Sequence, residues 1–410
     1  MHCIGLMSGT SIDGVDGVLA EFDAQGRLVN SEPVVSVDMP ANLRDELTRL
    51  QAPGPDEIGR AARAANALAD LYATCVDKVL AGAGIRAQAI TAIGAHGQTI
   101  RHDPASGYTV QILNGARLAD QTGIAVVTDL RSADIAAGGQ GAPLVPVFHA
   151  RVFAPPQGRR RGIINIGGIA NLSVLSHDDA GDVTVIGFDT GPGNTLLDLW
   201  CECHRGTRFD RDGAWATSGA LLPQLLERLR ADPYFALPAP KSTGRDYFHL
   251  DWLAKALRGG AVRSGASVQS DESFQSEEPA LSREATRSGQ TRLSEQASLE
   301  NAAGNPADVQ ATLLALTVTT IADAVRAARL DEVFVCGGGA ANPALMQQLA
   351  RTLGPALPVA TTQALGMPAQ AVEATAFAWL ARQRVTHEAG NLPAVTGARR
   401  LKVLGAIHAP

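Results

Sequence analysis

Aromatic residues make up only 4% of this 410-residue sequence, so its cores must be filled mainly by Ala, Leu and Val rather than by rings. A basic excess is missing as well: the formal net charge is -6. Without clustered Lys and Arg to neutralise phosphates, nucleic acid is not expected as a partner. The five cysteines, Cys3, Cys75, Cys201, Cys203 and Cys336, are odd in number and irregularly spaced, which argues against a disulfide framework and for a reducing, cytoplasmic compartment. No uninterrupted apolar run approaches the roughly 20 residues that span a bilayer. Met1 to Met7 lacks the basic region and long apolar stretch of a signal peptide and reads instead as a first strand. A soluble chain with no membrane partner is the expectation.

What is present is apolar material for large cores, with 45% hydrophobic residues. The length exceeds what one core usually supports, which predicts two lobes with a ligand-binding cleft between them. Short apolar runs closed by glycine turns read as strands: Ile4 to Met7, Val15 to Glu21, Ile90 to Gly94, Ile124 to Thr128, Ile163 to Ile166, Val183 to Phe188 and Val333 to Cys336. Between several of them lie stretches with helical spacing: Glu57 to Leu80, Leu196 to Cys203, Leu221 to Leu229, Val309 to Ala328, Pro343 to Leu353 and Ala371 to Arg382. This rhythm predicts an α/β fold with mixed sheets flanked by helices. A hairpin in each half, Ile4 to Glu21 and Ile163 to Leu175, hints at a duplicated core. From about Ala261 to Asn305 the sequence is rich in Ser, Glu, Gln, Arg and Gly without apolar periodicity, and it is expected to be a disordered surface insertion.

Three glycine turns carry the candidate chemistry. In Gly9-Thr10-Ser11-Ile12-Asp13-Gly14-Val15-Asp16, glycines bring N–H groups close to an anion and two hydroxyls add donors, which suits phosphate oxygens. Asp13 would repel bare phosphate unless a Mg²⁺ ion stands between them, held through water. A polar hairpin turn without a ligand is the other reading. Gly187-Phe188-Asp189-Thr190-Gly191-Pro192-Gly193-Asn194 follows a strand and precedes a helix, setting a carboxylate beside an anion-binding helix start; Asx-turn and capping chemistry explain the same string. Gly337-Gly338-Gly339 ends another strand and permits close approach of the adenosine part of a nucleotide, although tight strand-to-helix packing accounts for it equally. Cys201-Glu202-Cys203-His204 lacks further ligands at zinc spacing.

Taken together, these turns resemble the actin, hexokinase and heat-shock chaperone ATPase superfamily, in which ATP lies between two lobes. A closer match is to the anhydro-N-acetylmuramic acid kinase family, carried by Gly5 to Asp16, Ala95 to Thr99, Gly138 to Pro146, Asn165 to Ser173, the Asp189 turn, Pro240 to Arg245 and Leu392 to Ala398. The segment from about Ala261 to Asn305 is the one large departure. The resemblance implies a two-lobed actin/hexokinase-like fold with a central cleft, the first lobe comprising residues 1–128 and about 365–410 and the second residues 129–364. It implies an enzyme that uses ATP and Mg²⁺ to open the 1,6-anhydro ring of the sugar with water and phosphorylate O6, giving N-acetylmuramic acid 6-phosphate and ADP in cell-wall sugar recycling.

By the same resemblance Asp189 is the catalytic base, and an aspartate of ordinary pKa, about 3.9, is ionised at pH 7. ATP is assigned to Gly9, Thr10, Ser11, Ile12, Asp13, Gly14, Val15, Asp16, Gly191, Gly193, Asn194, Gly337, Gly338 and Gly339, with Asp13 the outer-shell partner of Mg²⁺. For the sugar, Arg131 is the first choice for the lactyl carboxylate because guanidinium pairs carboxylates in two-pronged fashion; surface ion pairing is the alternative. His96 and Gln98 stand at a strand end where they reach water or sugar hydroxyls, or else serve structure. Lys241 and Arg245 close over the substrate or form a solvated loop, and Glu373 faces the cleft or solvent. A kinase of an intact sugar and a nucleotide-regulated binding module remain as alternatives, and both a monomer and a homodimer are open.

Overall fold

The computed structural model describes residues 1–9, 11–239, 241–244, 247–259 and 304–410. The disorder expected for Ala261 to Asn305 falls almost wholly outside these residues, as do Thr10 and Arg245. In the first part of the chain, β1 (His2–Met7), β2 (Gly14–Phe22), β3 (Leu28–Asn30) and β4 (Val34–Asp38) are followed by helix α1 (Glu57–Ala83). Then come β5 (Ile90–Ala95), a hairpin of β6 (Gln98–Asp103) and β7 (Tyr108–Ile112), and β8 (Val126–Thr128). Strands β1 and β5 are apolar almost throughout and buried, as expected of strands covered on both faces. Helix α1 covers one face with Leu68, Tyr72, Cys75, Val76 and Val79, spaced at helical intervals, and ends at Gly84 in the left-handed conformation.

The second part contains β9 (Arg161–Ile166), β10 (Ile169–His177), β11 (Val183–Pro192), α2 (Thr195–Arg205), α3 (Pro306–Ala328), β12 (Glu332–Cys336), α4 (Pro343–Leu353) and β13 (Val359–Thr361). The chain then returns to the first sheet with α5 (Ala371–Val385) and β14 (Ala406–His408). Within the first sheet the order β3-β2-β1-β5-β8 runs antiparallel, antiparallel, parallel, parallel. The second sheet, β11-β10-β9-β12-β13, repeats that order and those senses. Each half therefore has the same five-strand core, and the α/β architecture expected from the sequence is the one observed.

Helix α3 has the length and composition of a membrane span, although no uninterrupted apolar run was apparent in the sequence. Its Val309, Leu313, Leu316, Ile321 and Val325 are buried in the core of the second sheet, the position of a core helix in a globular protein. Helix α5 is buried around most of its circumference because it lies in a core shared by both sheets, with Val18 and Ala92 from the first and Ile163, Leu175 and Val185 from the second. Two glycines set its height. A Cβ on Gly5 would overlap the Ala374 carbonyl oxygen, and one on Gly94 that of Phe377. Since a well-packed interface yields only at a cost, Gly94→Ala should lower the unfolding free energy by about 3 kcal/mol or more, read from urea melts. A loss below about 0.5 kcal/mol, the level of a neutral surface change, would show that α5 is not seated on that glycine.

Candidate active site

The carboxyl ends of β1, β5 and β8 form one edge of the first sheet, and the chain leaves each strand there into a predicted site segment. After β1, Ile12 takes a φ of 53° although it is β-branched, a strained conformation of order 1–3 kcal/mol. Burial of its side chain, a bond from its N–H to the Gly9 carbonyl (3.1 Å) and Arg44 Nε on its own carbonyl (3.0 Å) hold it. Ile12 and Val15 point into the core, so only their backbones are available to a ligand. Asp13 is exposed and accepts from Ser11 Oγ at 2.8 Å, whereas Asp16 is half-buried against Ser36 Oγ at 2.5 Å.

His96 and Gln98 brace this loop from behind. Gln98 accepts from Ser8 Oγ (2.5 Å) and donates to the Gly9 carbonyl (3.1 Å). His96, 6% exposed, has Nδ1 at 3.1 Å from the Ser8 carbonyl and Nε2 at 2.9 Å from Arg131 Nη2. A carbonyl only accepts and a guanidinium only donates, so the ring is neutral with its proton on Nδ1. Burial, then the Arg131 charge, push its pKa down to about 3. Arg131 also donates to the Gly141 carbonyl at 2.8 Å. Burial lowers its pKa to about 10, opposed by the charges of Glu373 and Asp134.

Opposite, the glycine turns of the second sheet gather at the ends of β9, β11 and β12. Gly193 N–H and Asn194 N–H donate to the carbonyls of Gly168 and Gly167, both at 2.8 Å, and Thr195 N–H to Gly168 at 3.0 Å. These helix-start donors, expected to be open to an anion, are thus already used in tying the two turns together. Gly337 packs so closely on Asn165 that a Cβ would overlap its Oδ1, and a Cβ on Gly338 would lie 3.8 Å from Asn194 Nδ2. The predicted nucleotide turns therefore meet.

Asp189 was expected in a turn but lies within β11, its Cα paired with Asn171 and followed by a bulge at Thr190 of the same strand. It shares a sheet face with Gly187 two residues earlier, and Gly187 sits against Pro146 and Val395. Asp189 thus belongs to the face covered by the helix Val145–Val152 and the short helix Pro393–Thr396. Thr243 N–H donates to Asp189 Oδ2 at 3.0 Å, and the Asp189 and Lys241 main chains are joined at 2.9 Å. The Lys241 ammonium turns toward the carbonyls of Tyr234 (3.1 Å) and Phe235 (3.3 Å).

The sequence model for anhydro-N-acetylmuramic acid kinase matches residues 1–275 and 285–410. The chain belongs to the anhydro-N-acetylmuramic acid kinase family. A relative of that name from Ralstonia nicotianae is 49% identical over 99% of this chain and 96% of its own length. Another from Variovorax paradoxus is 48% identical over 99% and 98%. Among solved structures, the activator of the 2-hydroxyisocaproyl-CoA dehydratase from Clostridium difficile with bound ADPNP aligns over 94% of this chain and 96% of its own, at 13% identity and a TM-score of 0.40. The family expected from the motifs is borne out, and with it a kinase. The stretch left unmatched, 276–284, is shorter than the departure expected between Ala261 and Asn305.

In this member of the anhydro-N-acetylmuramic acid kinase family, burial raises the site carboxyl of Asp16 and, furthest of all, those of Asp189 and Glu373. Burial raises Asp189 to about 6, against the pull of the Thr243 N–H and the Lys241 charge, which corrects the expectation of an ordinary aspartate. Burial and the Asp16 charge raise Glu373 to about 7, opposed by a hydrogen bond from Asn165 and by Arg131. Glu373 on a helix seated on the first sheet thus feels Asn165 at the end of β9 in the second; the sequence left it facing either the cleft or solvent. Both carboxyls hold a proton in the folded chain at a pH where the unfolded chain, with carboxyls near 4, has lost it. The native state therefore binds more protons between about pH 4 and 7, and stability falls as pH rises through that window. Urea melts of the ligand-free protein should show this slope, and Asp189→Asn with Glu373→Gln should flatten it; an unchanged slope in the double variant would contradict the assignment.

Proposed function

We propose that this chain is an ATP-dependent kinase that opens the 1,6-anhydro bond of 1,6-anhydro-N-acetylmuramic acid with water and phosphorylates O6, yielding N-acetylmuramic acid 6-phosphate and ADP, in the cytoplasm. The supporting observation is the environment of Asp189, a partly buried carboxylate with its basicity raised by burial and one oxygen fixed by the Thr243 N–H, at the end of a strand whose glycine turns gather with those of β9 and β12. In this role Asp189 takes a proton from the water that attacks the anomeric carbon. The oxygen released from that carbon takes the γ-phosphoryl group, so phosphorus replaces the acid that a glycosidase would supply to the leaving oxygen. With a pKa of about 6, Asp189 is mostly ionised at pH 7 yet more basic than an ordinary aspartate, as general-base catalysis near neutrality favours.

The two lobes in this reading are residues 1–128 with about 365–410, and residues 129–364. ATP phosphates lie between the Gly9–Asp16 loop and the glycine turns at Gly191–Asn194 and Gly337–Gly339. Mg²⁺ supplies charge neutralisation at those phosphates when bound. The residues fit it: Asp13, Asp16 and Glu373 repel one another, and Arg131 offsets only the charge of Glu373 among them. Among the described residues no three His, Cys, Asp or Glu groups stand close enough to hold a metal directly, which suits an ion held through water. Arg131 anchors the lactyl carboxylate, with His96 and Gln98 behind it bracing Arg131 and the Gly9 loop and the Lys241 main chain tied to Asp189 on the sugar side.

Asp189→Asn should lower turnover about 10² to 10⁴-fold while leaving ATP affinity within about twofold. The wild-type kcat/KM should fall below about pH 6 as Asp189 takes up its proton. Turnover near wild type in the variant removes Asp189 from the role. Phosphorylation of intact N-acetylmuramic acid as readily as of the anhydro sugar would favour the intact-sugar kinase instead.

A further inference from the structure

Asp134 is not part of the site described above, yet it is 0% exposed and every hydrogen bond it makes serves one junction. It lies in the short helix Ser132–Ala136, and its N–H bonds the Arg131 carbonyl at 3.1 Å. Its Oδ1 accepts from Asn391 Nδ2 (2.7 Å) and Thr396 Oγ1 (2.8 Å), and its Oδ2 accepts from the Gly141 N–H (2.8 Å). Gly141 in turn receives Arg131 Nη1 on its carbonyl. One peptide unit away, the Gln140 N–H is held by the Thr396 carbonyl at 2.7 Å, and Arg399 N–H by Ala137 at 2.9 Å. The fit leaves little room, because a Cβ on Gly139 would overlap Asp134 Oδ2.

We propose that Asp134 is a positioning residue that sets the Arg131 guanidinium for the sugar's carboxylate, acting through Gly141 and tying this loop to the segment Asn391–Thr396 near the chain's end. The inference rests on the reading of Arg131 as the carboxylate anchor. Arg131 is held at two points, His96 Nε2 on the nucleotide-loop side and the Gly141 carbonyl on the other. Only the second is adjustable by the loop, and Gly141 stands where it does because Asp134 holds its N–H. A carboxylate offers acceptors alone to the three donors that face it. An asparagine would instead turn an N–H₂ toward one of them, donor against donor, and leave a buried group unmatched. The nearby carboxylate also supports the Arg131 charge.

The test compares KM for 1,6-anhydro-N-acetylmuramic acid, for the same anhydro sugar lacking the lactyl ether, and for ATP. Asp134→Asn should raise the first about tenfold and leave the other two within about twofold. In an Arg131→Ala background the same substitution should add less than about twofold, since its effect passes through a side chain already removed. Equal losses for both sugars, or a full tenfold loss on top of Arg131→Ala, would overturn the inference and leave Asp134 a purely structural residue. Arg131→Ala alone separates the two levels. If it weakens both sugars alike, the carboxylate-anchor reading fails and the positioning role with it. If it is selective and Asp134→Asn is not, only the positioning role fails. Should Asp134→Asn not fold, Thr396→Val removes a single donor from Oδ1, and a selective shift of about threefold is expected in its place; no shift there overturns the inference.

Discussion

The packing of helix α5 holds the site together, because at one point this helix, seated on the first sheet, also enters a core with Ile163, Leu175 and Val185 of the second and carries Glu373 to where Asn165 acts on its charge. Helix α5 reaches that point only because Gly5 and Gly94 let its backbone lie directly on β1 and β5. Asn165 is in turn pressed by Gly337, whose N–H bonds the Ala369 carbonyl just before α5. The Gly9–Asp16 loop, the Gly337 turn and the start of α5 are therefore positioned against one another by packing that no side chain larger than hydrogen would permit. The energetic consequence is a concentration of negative charge. Asp13, Asp16 and Glu373 repel one another, and Arg131 offsets part of that charge at Glu373.

On the other side of the site, the chemistry depends on a carboxylate kept partly out of water. Burial raises the basicity of Asp189, and the Thr243 N–H restrains that rise while fixing the direction of one oxygen. In the role proposed for Asp189 that balance suits a general base near neutral pH: too exposed, and it would be a weak base; too deeply buried without a donor, and it would keep its proton.

Much of this was legible in the sequence where the signal is local. The strands ending at Met7, Gly94 and Ile166, the long helix from Glu57 and the helix from Ala371 follow from apolar runs, periodicity and glycine breaks, and the family motifs are contiguous strings. Short strands such as Leu28–Asn30, Val359–Thr361 and Ala406–His408 were not, since three residues carry no alternation to recognise. Asp189 was placed in a turn because Gly187 and Gly191 look like breakers, whereas both are tolerated within β11 by close packing against Pro146 and Phe235. The helix-start donors at Gly193 to Thr195 looked free because their acceptors, Gly167 and Gly168, lie on another hairpin. Glu373 and Asp134 act through residues more than 200 positions away in sequence, Asn165 and the Asn391–Thr396 segment, and no spacing rule reaches that far.

The central claim is that one turnover joins hydrolysis at the anomeric carbon to phosphoryl transfer at O6. Incubating the protein with ATP, Mg²⁺ and the anhydro sugar in oxygen-18 water addresses it directly. Label is expected in the anomeric hydroxyl of the product, with unlabelled oxygen between C6 and phosphorus. A phosphorylated product with no label at the anomeric position, or with label in the phosphate ester, would contradict it.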